Sequence, residues 1–128
     1  MEGTLKSEST VKVGDSIVFY QNTTSDRFNS EDYTEIKRYT PVLDGDYRVS
    51  FSFYSNQYTN EVKGAIRHTR NGEVIYQSND YSTTDVSSKT ITIDVLNVKK
   101  GDVIAAIHKR ATYVTGTSTG LTVRGDIK

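Results

Sequence analysis

Four large apolar side chains fall on every second residue of one segment. They are Tyr47, Val49, Phe51 and Phe53, with Arg48, Ser50, Ser52 and Tyr54 between them. A helix cannot bury such a set, because side chains two apart on a helix leave in different directions. A strand can, since alternate residues share one face, so the segment predicts a strand inside an antiparallel sheet, apolar inward and polar outward. The rest of the chain agrees with it. Val, Ile and Thr supply 39 of 128 residues, whereas Ala and Leu together supply 8. Branching at Cβ suits a pleated surface and gains little in a helix, so the composition is that of an all-β chain.

Along the sequence, Val11, Val13, Ile17 and Phe19 share one parity, with a bulge or bend expected at Gly14-Asp15. Residues 22–32 read as a polar loop, long for a hairpin and so either mobile or a working surface. Asp32 to Tyr39 is assigned to a strand. Val62, Gly64, Ile66 and His68 alternate up to Asn71-Gly72, a pair that tolerates the positive φ angles of a type I′ hairpin turn. After a second polar stretch, 78–89, the residues Ile91, Ile93 and Val95 face inward. Lys99 to Asp102 turn the chain into Val103–Ile107, which is apolar on both faces and predicts cover on both sides. Residues 115–120 read as a small-residue loop before a closing strand through Leu121, Val123 and Ile127.

Eight or nine strands need two sheets to cover their apolar faces, and the mix of tight and long connections suits Greek-key crossings. The predicted fold class is therefore an all-β, antiparallel two-sheet β-sandwich with jelly-roll topology. It forms one domain over residues 1–128, with 1–9 a flexible N-terminal segment. The expected core includes Val49, Phe51, Phe53, Ile66, Ile91, Ile93, Val95, Ala105 and Val123. Two segments, Val11–Ile17 and Val98–Ile104, share the form V-K-x-G-D-x-I and predict one turn used twice, with Gly supplying the φ and Asp bonding the turn backbone.

Sixteen basic residues balance sixteen acidic ones. That leaves no general electrostatic handle for nucleic acid and no polybasic membrane anchor. No run of apolar residues is long enough to span a membrane, and MEGTLKSEST lacks the apolar core of a secretion signal, so neither segment is expected. Without Cys there are no disulfides, thiolate nucleophiles or cysteine zinc sites.

The two histidines, His68 and His108, sit in the basic runs Arg67-His68-Thr69-Arg70 and His108-Lys109-Arg110. As sheet neighbours these runs would make one cationic patch for a carboxylate or phosphate; otherwise they cover an outer face. No G-x-S-x-G is present, and Glu73, Asp80, Asp85 and Asp94 serve as a glycosidase pair only if two of them face across a cleft. Asn79-Asp80 and Asp85 offer oxygens to calcium, but no D-x-[DN]-x-[DN]-G loop holds them. The expectation is no enzyme, no metal and no cofactor.

The tyrosines carry more. Tyr47 falls on the inward parity, while Tyr54, Tyr58, Tyr76, Tyr81 and Tyr113 fall outward or in loops. Outward rings stack on sugars, seal subunit boundaries or pack the framework. The polar connections 54–60, 76–85 and 113–120 thus supply the candidate ligand-binding residues: Tyr54, Asn56, Tyr58, Asn60, Tyr76, Asn79, Asp80, Tyr81 and Tyr113.

The series Glu35 to Phe51, EIKRYTPVLDGDYRVSF, resembles the K-x-x-x-V-x-x-x-G-x-Y-R-V-S-F segment of small β-sandwich modules. These occur in tail, baseplate and fibre-associated proteins of bacteriophages and prophages of Gram-positive bacteria. The later Asn71-Gly72 hairpin and the V-K-K-G-D-x-I segment at Val98–Ile104 follow the same pattern, so the likeness spans roughly residues 30–127. A looser likeness links the Gly-x-Tyr strand and late Gly-Asp turn to the C1q and tumour-necrosis-factor jelly rolls.

The resemblance implies a structural or receptor-binding part of a virion, in the tail or baseplate. It also implies a homo-oligomer, trimer favoured, with other virion proteins and cell-surface polysaccharide as partners. It implies neither nucleic acid nor membrane insertion. The matching residues are turn and core positions, so no ligand-binding residue carries over, and these 128 residues depart from the pattern in containing no recognisable shaft or coiled-coil segment. The alternative is a carbohydrate-binding module beside an extracellular enzyme.

Overall fold

The computed structural model describes residues 9–128. The assignment of 1–9 as a flexible segment lies, but for Ser9, outside the described residues. Ten strands follow in order: β1 Val11–Asn22, β2 Asp26–Phe28, β3 Thr34–Tyr39, β4 Gly45–Ser55, β5 Val62–Arg70, β6 Glu73–Gln77, β7 Tyr81–Thr83, β8 Lys89–Val98, β9 Val103–Arg110 and β10 Gly116–Ile127. No helix occurs among the described residues. Across the described residues the chain is all-β, in two five-stranded sheets.

In the first sheet β4 lies between β8 and β10. The far edge of β10 is shared, with β2 pairing its first residues and β1 its last ones. In the second sheet β9 lies between β3 and β5, and the far edge of β5 is shared by β7 and β6. All these pairings are antiparallel except one parallel bridge, Val11 with Gly45.

The inward parity of β4 is confirmed, since Tyr47, Val49, Phe51 and Phe53 are fully buried. They meet Leu121 and Val123 of β10 and, across the gap, Ile66, Ile104 and Ala106 of the second sheet. Ile91 and Ile93 reach this core only partly, because β8 is an edge strand. Ala105 is buried on the other face of its sheet with Ala65 and Ile107, and Tyr33 and Val103 pack against them. The double cover expected for 103–107 is therefore present, and Ile104 and Ala106 are the core-facing pair.

The Asn71-Gly72 turn has φ of 53° and 82°, as a type I′ hairpin needs. Elsewhere three readings are corrected. The polar stretches 22–32 and 78–89 each contain a short strand, β2 and β7, that completes an edge its neighbour leaves uncovered. The loop expected at 115–120 is instead the start of β10, where small residues are required. A β-carbon on Gly116 would collide with the Phe28 ring, and one on Gly120 would press against Ser52.

The repeated V-K-x-G-D is not one turn used twice. Gly101 has φ 91°, whereas Gly14 lies within β1 and has no positive φ. Pairing skips from Lys12–Asp126 to Ile17–Gly125, so 13–16 form the expected bulge. That bulge leaves Ile17 exposed and breaks the parity it was expected to share with Val11 and Phe19.

Candidate functional site

At one end of the sheets four connections are bound to one another through their backbones. Asn56 N donates to Thr115 O (2.9 Å), Ser55 N to Asp85 O (2.8 Å), Arg110 N to Ser30 O (2.9 Å) and Ala111 N to Glu61 O (2.9 Å). Side chains reinforce this: Thr117 Oγ1 donates to Asn56 Oδ1 at 2.7 Å, and Glu61 N donates to Thr112 Oγ1 at 2.9 Å. Loops tied this way hold a surface without the ordering cost of mobile ones.

The surface they hold is a groove. A hollow of about 300 Å³ is lined by Asn29, Gln57, Arg110, Tyr113, Val114 and Thr115. A second, of about 250 Å³, shares Asn29 and Thr115 and adds Arg27 and Phe28. The Tyr113 ring is 89% exposed, and the Arg110 guanidinium lies 4.6 Å from its centroid, a cation–π contact on one face. Arg110 Nη2 is also 3.6 Å from a Glu31 carboxylate oxygen, too far for a hydrogen bond.

The sequence candidates divide between this end and other places. Tyr113 lines the groove. Asn56 and Tyr58 belong to the same loop cluster, Tyr58 exposed and Asn56 committed to Thr117. Asn60 closes its own turn by donating to Gln57 O at 3.1 Å. Tyr54 is half-buried on the outer face of β4, opposite Thr117. Tyr76 stands exposed on edge strand β6.

Asn79 and Asp80 lie in the β6–β7 connection. There Asp80 accepts the Tyr33 hydroxyl at 2.7 Å, and that bond, after burial, pushes the Tyr33 phenol well above its usual range. Tyr81 is corrected: its ring packs inward against Phe51 at 6.3 Å and belongs to the core. The groove residues that parity reasoning missed are Arg27, Asn29, Gln57 and Arg110. Arg110 carried a signal as part of a basic run, Arg27 and Asn29 only as part of the polar loop 22–32, and Gln57 only as part of the connection 54–60.

The single cationic patch that the two basic runs would make as close sheet neighbours does not form. β5 and β9 are neighbours, but their register sets His108 opposite Gly64 and His68 opposite Ile104, so the runs lie at opposite ends of the pair. Both histidines are fully buried. His68 Nε2 is 2.7 Å from Asp102 Oδ2, and Asp102 also accepts from Arg70 Nη2 (3.0 Å) and Lys99 N (2.8 Å). Burial pushes the Asp102 carboxyl up, yet these donors outweigh it and hold it at about 2.

His108 is enclosed by Phe28 (stacked, 4.6 Å), Phe53 (5.0 Å) and Phe51 (6.0 Å). Burial drives it down to about 3, the nearby Lys37 ammonium adding to that and the Lys63 backbone opposing it. Neither ring nitrogen makes a hydrogen bond of good geometry. Lys37 itself is buried, its Nζ 2.6 Å from Asp26 Oδ2 and 3.3 Å from Ser118 O.

The carboxylates weighed for catalysis or calcium are dispersed. Asp94 pairs with Arg48 at 3.1 Å, Asp80 holds Tyr33, Asp85 Oδ1 accepts Ser87 N at 3.3 Å, and Glu73 begins β6. Among the described residues no group of three or more His, Cys, Asp or Glu is placed to hold a metal ion.

No family model matches the chain, and no curated protein matches it. Among solved structures, a chain described as "Bacillus endospore appendages form a novel family of disulfide-linked pili" aligns over 98% of this chain and 96% of its own. The identity is 12% and the TM-score 0.49, so this likeness carries no argument about function.

Proposed function

We propose that the chain is a non-enzymatic structural or receptor-binding component of a phage or prophage tail or baseplate, which meets cell-surface glycan through its loop end. The observation that carries the reading is the groove, an open surface with an exposed tyrosine, amides and arginines held by mutually bonded loops on a two-sheet scaffold. Placement in a virion rests on the framework resemblance alone. The enclosure of both histidines favours a non-enzymatic role, since neither imidazole is open to a substrate.

What supports jelly-roll topology is the strand order. One sheet reads β1–β10–β4–β8 and the other β3–β9–β5–β6, with the chain crossing between sheets from β2 to β3, β3 to β4, β4 to β5, β7 to β8, β8 to β9 and β9 to β10. Two Greek keys wrapped around one core have that order. What supports a homo-oligomer is β6, an edge strand exposing Val74, Ile75 and Tyr76 in succession. Such an edge invites pairing unless another chain covers it.

A monomeric carbohydrate-binding module beside an extracellular enzyme is the second reading, and the exposed Tyr113 and the groove amides serve it equally. Light scattering separates them: a mass near three times 14.3 kDa supports the particle component, and a monomer supports the module. Adsorption to bacterial cells or wall polysaccharide tests the glycan contact. Tyr113→Ala is expected to lose adsorption with the oligomer intact, whereas Tyr76→Ala is expected to dissociate it. If neither Tyr113→Ala nor Tyr58→Ala alters adsorption, the role is purely structural.

A further inference from the structure

We infer that the groove selects an anionic glycan: a chain of sugar or polyol units carrying carboxylate or phosphodiester groups. The inference rests on reading the loop end as the receptor-contacting surface, and it adds the charge of the ligand. The two hollows share Asn29 and Thr115 and so lie side by side, an arrangement suited to successive units of a polymer. Two guanidinium groups, Arg27 and Arg110, line the groove, and among the described residues no carboxylate does. The chain as a whole is neutral, so this is a local arrangement rather than the edge of a basic protein.

Arg110 is prepared for such a ligand. Its side chain is only 20% exposed, and the guanidinium is seated against Tyr113, so little rotamer freedom remains to be lost on binding. Its acidic neighbour Glu31 is 82% exposed and 3.6 Å away, a loose counter-ion that a bound anion can displace. A planar guanidinium matches carboxylate and phosphate oxygens in pairs, and charge-assisted bonds of this kind are the strong ones. The face of the Tyr113 ring away from Arg110 is open to stack on a sugar, while the Asn29 and Gln57 amides and the Thr115 hydroxyl match ring hydroxyls.

The test is calorimetric titration of the full chain with three polymers: polygalacturonate (carboxylate), poly(glycerol phosphate) (phosphodiester) and dextran (neutral). At least one polyanion is expected to bind and dextran not to, and the polyanion that binds tells the two sources apart. Arg110→Gln and Arg27→Gln are each expected to weaken binding about tenfold or more, the loss of one charge-assisted contact. Glu31→Gln is expected to tighten it a few-fold by removing the competing counter-ion. Unchanged circular dichroism and thermal midpoint show that each variant is folded.

Failure of both polyanions to bind overturns the inference. Equal binding of dextran, lost in Tyr113→Ala but kept in both arginine variants, also overturns it while leaving the glycan reading in place. No binding of any polymer, with cell adsorption unchanged in Tyr113→Ala, overturns both.

Discussion

Lowering the pH should destabilise this fold well before its carboxylates titrate, and one buried histidine sets the size of the effect. His108 has no exposed surface, sits among three phenylalanine rings and has its pKa driven down to about 3, against 6.5 for an exposed imidazole. Below pH 6.5 the unfolded chain therefore binds a proton that the folded chain refuses until about pH 3. Stability is complete above the upper value and falls as pH drops through the interval, by up to about 1.4 kcal/mol per pH unit. Between pH 7 and pH 5 the loss comes to about 2 kcal/mol, a large share of the ~5–15 kcal/mol that holds a domain folded. Asp102, held at about 2, works in a different window: its contribution is present above its unfolded value of 3.8 and is lost only as pH falls toward 2. Urea unfolding at half-unit steps from pH 7 to 5 measures the slope, and His108→Leu removes the titrating group while staying apolar. The variant is expected to lose the slope whatever its stability at pH 7. A wild-type slope that persists in His108→Leu would refute the reasoning.

Phe51→Ala is expected to cost about 3–5 kcal/mol in the same assay, since the ring is fully buried between the sheets; a loss below about 1 kcal/mol would show that the site refills. Lys37→Met is expected to be nearly neutral or stabilising. The ammonium is wholly buried while its partner Asp26 keeps 45% of its side-chain surface, so removing the lysine returns a carboxylate to water rather than stranding it. Loss of more than about 3 kcal/mol in Lys37→Met would show that the ion pair holds β2 in place. Arg70→Met is expected to destabilise by a few kcal/mol, because Asp102 is 3% exposed and would keep its charge with one donor group fewer.

Where side chains alternate without interruption, the sequence was readable. β4 shows its inward face directly, and the β5–β6 hairpin follows from Asn71-Gly72. Where a bulge changes the parity, it was not. Pairing slips by one residue between Glu35 and Lys37, which turns Lys37 inward beside Ala106 and buries a side chain that composition assigns to the surface. Strands of three residues carry no period to detect, so β2 and β7 were hidden in polar stretches. The candidate site was half legible for a related reason. Exposure singled out Tyr113, but which residues join it depends on how the loops meet: Asn29 and Gln57 come from two different connections and Arg110 from the end of β9.

The short strand β2 shows why that hidden information bears on function. Its three consecutive residues serve three parts of the molecule: Asp26 closes the ion pair with Lys37, Arg27 lines the groove, and Phe28 stacks on His108 while forming the floor of the second hollow. Gly116 on β10 leaves the space in which the Phe28 ring sits. The loop end is thus joined to the core through the Phe28 side chain, as it is through Val114, and whatever displaces Phe28 acts on both. A charged imidazole under that ring would replace an apolar contact by an unsolvated ion. If the groove binds the intact fold alone, ligand must oppose acid unfolding by mass action, by about 2.7 kcal/mol at a hundredfold excess over Kd. The affinity of the groove and the acid sensitivity of His108 are therefore linked quantities, and the link runs through a segment that, read as sequence, looked like a polar loop.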